Sequence, residues 1–169
     1  MAKPRKPGWD DREVQEHIKR FNREIKQSAP MWVSDAFDRI GQRSQADYWR
    51  KRGGRPLATK LTVRSGRLIR SLSPQGGSRY RGSAASEQIR QIRVSGGRIK
   101  GFFGSRVPYA RIHEEGGTFV HPNLYGRGIK AVINMPARPY LKPAARKEIP
   151  EIREEMPQKF SRVWKEVER

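Results

Sequence analysis

Ala145, Ile149, Ile152, Met156, Phe160, Val163 and Val167 recur at spacings of 4, 3, 4, 4, 3 and 4. Over that length such a period fits a long helix with one apolar stripe. The stripe obliges the rest of the chain to cover it. Pro143 suits the opening turn of this helix, whereas Pro150 and Pro157 each remove a backbone donor and predict a bend or a division into two helices. Material for a cover is scarce. Leu, Ile, Val and Phe make up 33 of 169 residues, and the formal net charge is +20. That composition borders on that of disordered chains. The periodicity argues for a folded chain with a thin core, completed by packing against copies or partners.

The same test finds the other elements. Asp10 and Glu13 have capping-box spacing, and Val14, Ile18, Phe21 and Ile25 follow on one helical face. Ser28-Ala29-Pro30 interrupts that face before Val33, Phe37 and Ile40 resume it, which predicts a second helix, or a kinked continuation, to about Gln42. Gly53-Gly54-Arg55-Pro56 is a break. Leu61 and Val63 suggest a short extended piece, and Leu68, Ile69 and Leu72 share a face of a brief helix capped by Ser65. Gly96-Gly97 is a two-residue hairpin signal. Pairing Ser95 with Arg98 sets Val94 against Ile99, Ile92 against Gly101 and Arg90 against Phe103 on a mostly apolar face. The other face then gathers Gln91, Arg93, Ser95, Arg98, Lys100 and Phe102. One register thus sorts apolar side chains from cations. Ile129, Ala131, Ile133 and Met135 alternate as a further strand.

Several chemistries find no support in the residues. The chain has no cysteine, which excludes disulfides, thiolate metal sites and cysteine nucleophiles and suits a reducing cytoplasm. Residues 1–11 are basic with no apolar stretch behind them, unlike a secretory signal, and no apolar run approaches the roughly 20 residues of a membrane span. His113, Glu114 and His121 match no compact zinc spacing. No nucleophile elbow or phosphate loop occurs, and the adjacent acids Glu114-Glu115 and Glu154-Glu155 read as solvated surface. The expectation is a non-enzyme with no cofactor and no metal. Trp9, Trp32, Trp49 and Trp164 are spread along the chain, as packing residues would be.

Charge is concentrated in the middle. Residues 43–111 carry 17 basic and two acidic side chains, so three quarters of the excess lies there. Like charges at that density repel unless a polyanion or an acidic partner offsets them. Arg93, Arg98 and Lys100 on the hairpin, extended by Arg79 and Arg81 in the Gly/Ser/Arg-rich loop, form the expected DNA- or partner-facing patch.

Three segments together resemble the virion-morphogenesis and tail-completion (head–tail joining) families of tailed bacteriophages. They are Leu61-Thr-Val-Arg-Ser-Gly-Arg-Leu-Ile-Arg-Ser71, Val107-Pro-Tyr-Ala-Arg-Ile-His-Glu-Glu-Gly-Gly117 and Met135-Pro-Ala-Arg-Pro-Tyr-Leu-Lys-Pro143. They are similar to the families' Thr/Ser-Gly-Arg-Leu turn, Tyr-Ala-x-Ile/Val-His/Glu-x-Gly-Gly segment and Pro-Ala-Arg-Pro-Phe/Tyr-Leu run. Physically, Gly66, Gly116 and Gly117 permit backbone geometries closed to other residues. Pro136 and Pro139 hold the chain extended, so that Tyr140 and Leu141 reach the core as the last helix starts.

The element order and this resemblance imply an α+β fold: N-terminal helices, a small antiparallel sheet with a hairpin, and a long C-terminal helix packed on the sheet. Residues 1–169 are read as one domain with a basic arm at 1–9 and a flexible basic loop at 73–86. The resemblance further implies a component of the virion neck or upper tail, made in the host cytoplasm and assembled as a six-fold or twelve-fold ring. Its neighbours would be neck, tail-tube or terminator proteins, with non-specific contact to packaged DNA. The alternative is a free-standing, sequence-independent nucleic-acid-binding protein.

Overall fold

The computed structural model describes residues 11–50, 60–62, 66–73, 87–95, 98–124 and 129–168. The basic arm at 1–9, nearly all of the loop at 73–86, the Gly53–Pro56 break and the Gly96-Gly97 turn itself lie outside the described residues. The fold is α+β. Its elements are α1 (Asp11–Tyr48), β1 (Trp49–Arg50), β2 (Leu61–Thr62), α2 (Arg67–Arg70), β3 (Gln88–Ser95), β4 (Arg98–Ser105), α3 (Ala110–Glu115), β5 (Gly117–Leu124), β6 (Ile129–Met135) and α4 (Leu141–Val167). The strands form three separate pairs: a two-residue parallel β1–β2, and the antiparallel β3–β4 and β5–β6.

Both long helices run through their prolines. α1 is a single helix across Pro30, where two helices or a kinked one had equal support, and α4 is a single helix across Pro150 and Pro157, not two. Pro150 and Pro157 are exposed, so the carbonyls they leave without donors face water, where the loss costs least. Pro30 is flanked by packing instead: Ala29 is buried and the Trp32 ring meets Phe160 edge-on at 5.6 Å.

α4 finds its cover on α1, not on a sheet. The two run antiparallel, with Asp47 beside Lys147, Arg39 and Arg43 on Glu148, Trp32 on Phe160, and Phe21 on Trp164. The buried positions of α4 are Ala144, Glu148, Val163 and Val167. Val163 and Val167 lie on the apolar stripe, whereas Ala144 and Glu148 lie to one side of it, and Ile149 and Phe160 are left 45% and 39% exposed. The reason is electrostatic. Arg39 donates from Nε to Glu148 Oε2 (2.9 Å) and from Nη1 to Glu155 Oε1 (2.5 Å), while Arg43 Nε donates to Glu148 Oε1 (2.5 Å). A buried carboxylate held by two guanidiniums fixes the rotation of the helix in a way hydropathy does not record.

The opposite side of α1 carries the β3–β4 hairpin. Phe37 stacks on Phe103 with centroids 5.3 Å apart, and Gly101 lets the helix approach: a Cβ there would stand 2.6 Å from the Phe37 ring and 2.8 Å from Val33. Arg90 donates to Asp38 (Nη1–Oδ1 2.5 Å) and to the Ser34 carbonyl (Nη2–O 2.8 Å). α1 is thus the central element, with α4 on one side and the hairpin on the other.

The main buried cluster unites all three motifs. Leu61 and Leu68 come from the first, with Leu72 directly after it, Val107 and Ala110 from the second and Tyr140 from the third, with Tyr48, Trp49, Phe103 and Leu141 around them. Leu72 is wholly buried. The expected special geometry is present: Gly66 has φ 72°, Gly116 φ 73° and Gly117 φ 144°. At Gly116 a Cβ would also lie 2.8 Å from the Ala137 nitrogen, so the second motif admits the third only because this residue lacks one.

Candidate nucleic-acid interface

The hairpin register is the one its turn signal predicts. Ser95 pairs with Arg98, Val94 with Ile99, Arg93 with Lys100, Ile92 with Gly101, Gln91 with Phe102 and Arg90 with Phe103. Strand side chains alternate between faces. The face carrying Ile92, Gly101 and Phe103 therefore meets α1, and the other face is left to water. All six of its residues, Gln91, Arg93, Ser95, Arg98, Lys100 and Phe102, are exposed.

Arg93 and Lys100 are direct cross-strand partners, and the Arg93 guanidinium lies over the Phe102 ring at 5.4 Å. Like charges directly opposite on a strand pair destabilise it. Many cations elsewhere in the fold have carboxylate partners: Arg39 and Arg43 with Glu148, Arg67 with Glu87, Arg90 with Asp38, Arg111 with Glu115, Lys147 with Asp47. Among the described residues, no carboxylate pairs with Arg93, Arg98 or Lys100.

The structure brings together three of the five sequence-predicted residues, Arg93, Arg98 and Lys100. Arg79 and Arg81 lie outside the described residues. One participant was not legible beforehand. Arg90 reads in the sequence as a cation on the apolar face, and the structure makes it the anchor of the hairpin to α1. The available signal was Ser34 and Asp38, four residues apart on α1 and therefore on one helical face. Phe102 stands on the face that the sequence register assigned to it, with the Arg93 guanidinium over its ring.

The histidine and acids of the second motif hold structure. Glu114 accepts backbone N–H groups at the start of α4, and the His113 carbonyl accepts the Arg138 N–H at 2.8 Å. The His121 side chain lies outside the described residues. Among the described residues no helix is long and apolar enough to cross a membrane.

No protein family, curated protein or solved structure matches this chain. The phage resemblance rests on the three motifs and on the order of the elements around them.

Proposed function

We propose that this chain is a structural, non-enzymatic component of a tailed-phage virion, at the head–tail junction or upper tail. It assembles as a ring around the DNA channel with the exposed face of β3–β4 turned toward DNA. The observation that carries the reading is the Arg93–Lys100 rung, two cations held opposite each other without an acid between them. A fold that keeps such a repulsion, while pairing so many of its other cations, is arranged for an external polyanion. The meeting of the three motifs in one buried cluster supports reading them as a folding unit, which is what the resemblance implies. Val120 and Val132, cross-strand partners on β5–β6, are 58% and 72% exposed and offer neighbouring copies an apolar contact.

The exposed Phe102 ring beside Arg93 favours a second reading, a free-standing protein that binds nucleic acid without sequence preference. Electron microscopy of particles assembled without the gene separates the two. Filled heads lying beside detached tails are expected for the virion reading, and intact infectious particles would refute it.

A further inference from the structure

We infer that the exposed face of β3–β4 seats in the major groove of duplex DNA, the distal rungs first. The inference rests on the reading of that face as a DNA contact and adds which form of DNA and which groove. The major groove, about 12 Å wide and 8.5 Å deep, admits a two-stranded ribbon without distortion, whereas a minor groove of about 6 Å takes one only when the duplex is deformed.

The ribbon's own asymmetry selects the end that enters. Near its base Arg90 is already bound to the Asp38 carboxylate of α1. Toward the tip, Ser95, Arg98 and Val94 are exposed, and among the described residues no carboxylate pairs with Arg93, Arg98 or Lys100. The Arg93–Lys100 and Ser95–Arg98 rungs are two residues apart, about 6.8 Å along the strand, close to twice the rise of about 3.4 Å per phosphate of one DNA strand. Lys100 and Arg98, two residues apart on β4, are therefore spaced to meet alternate phosphates of one DNA strand.

The side chains also favour duplex over single strand. Five of the six exposed residues on this face are hydrogen-bonding, and Phe102 is the one aromatic. A platform for single strands offers successive rings to successive bases. One ring at the groove edge serves instead as an apolar contact, such as a thymine methyl takes.

The test is fluorescence anisotropy of the full chain at fixed salt on a short mixed-sequence duplex. The same duplex is also used with glucosylated 5-hydroxymethylcytosine, whose bulk fills the major groove, and with netropsin saturating the minor groove. Glucosylation is expected to weaken binding about tenfold or more, and netropsin by less than about twofold. Loss of binding with netropsin, indifference to glucosylation, or tighter binding to a single strand of equal length would each overturn the groove assignment. The triple change R93Q/R98Q/K100Q distinguishes the two levels. If it leaves plain-duplex affinity unchanged, the DNA reading of this face falls with the inference. If it lowers affinity while glucosylation does not, only the groove assignment falls.

Discussion

Glu114 Oε2 accepts the backbone N–H of Tyr140 at 2.9 Å, and thereby one motif caps the helix that another begins. The same carboxylate accepts from Leu141 (3.0 Å) and Lys142 (2.8 Å). The first N–H groups of a helix have no partner within it, and a carboxylate there also suits the positive end of the helix dipole. Tyr140 has no side-chain cap of its own. The acid from α3 supplies it from 26 residues away.

Removing that cap is therefore expected to loosen the start of α4. Glu114→Ala should cost about 1–2 kcal/mol, read by urea unfolding, with Glu114→Gln losing less because one acceptor remains. An unchanged midpoint for Glu114→Ala would mean that water caps the helix equally well.

Leu72 and Phe160 should separate sharply. Leu72 is fully buried in the cluster where the motifs meet, and Leu72→Ala is expected to cost about 2–5 kcal/mol. Phe160 is 39% exposed and meets Trp32 edge-on, so Phe160→Ala should cost about 1–2 kcal/mol. Thermal melting of both variants checks the order. A larger loss at Phe160 would place the mechanical centre of the fold on the helix pair.

Glu148 tests whether charge or hydropathy sets the rotation of α4. Its side chain is 5% exposed between Arg39 and Arg43. Glu148→Ala leaves a gap and two guanidiniums short of a partner, at about 2–3 kcal/mol. Glu148→Leu is expected to recover part of that loss, since a well-packed apolar residue often replaces a buried ion pair at little cost. Arg39 also keeps Glu151 and Glu155. If Glu148→Leu is the worse of the two, the ion cluster has no apolar substitute.

Binding to duplex DNA should weaken steeply with salt. Three phosphate contacts give a slope of log affinity on log salt near −0.9 each, about −3 in all. The triple change R93Q/R98Q/K100Q is expected to flatten that contribution without lowering the melting temperature, because all three side chains are exposed and the Arg93–Lys100 repulsion is relieved. An identical slope in the variant would return these cations to the role of solubilising surface.

Acid should release two surface clamps. The bond from Arg67 holds the Glu87 carboxyl below its usual range, and the bond from Lys147 does the same for Asp47. A carboxylate whose folded pKa is depressed adds stability above its unfolded pKa, and that stability is lost as pH falls through the folded value. The stabilisation should thus be complete at neutral pH and decline below about pH 4. Carboxyl chemical shifts followed by NMR should titrate later for these two than for exposed acids, and ordinary midpoints would contradict the pairing.

Much of this fold is local arithmetic, and that part is legible in the sequence. Gly96-Gly97 and strict alternation gave the β3–β4 register residue by residue, because a slip of one would have turned every cation inward. Gly66, Gly116 and Gly117 marked the positive-φ positions, and the period of α4 marked its helix. What sequence reasoning missed depends on residues far apart in the chain. Hydropathy ranked the stripe through Ile149 and Phe160 as the buried face. The structure buries Val163 and Val167 of that stripe but takes Glu148 in place of Ile149, because Arg39 and Arg43 stand more than one hundred residues earlier. The same holds for Arg90 with Asp38 and for Glu114 beneath α4. Periodicity reports where one element can hide its own side chains from water. Which face it hides is decided by the charges and carbonyls that the partner element presents, and only tertiary structure brings those within bonding distance.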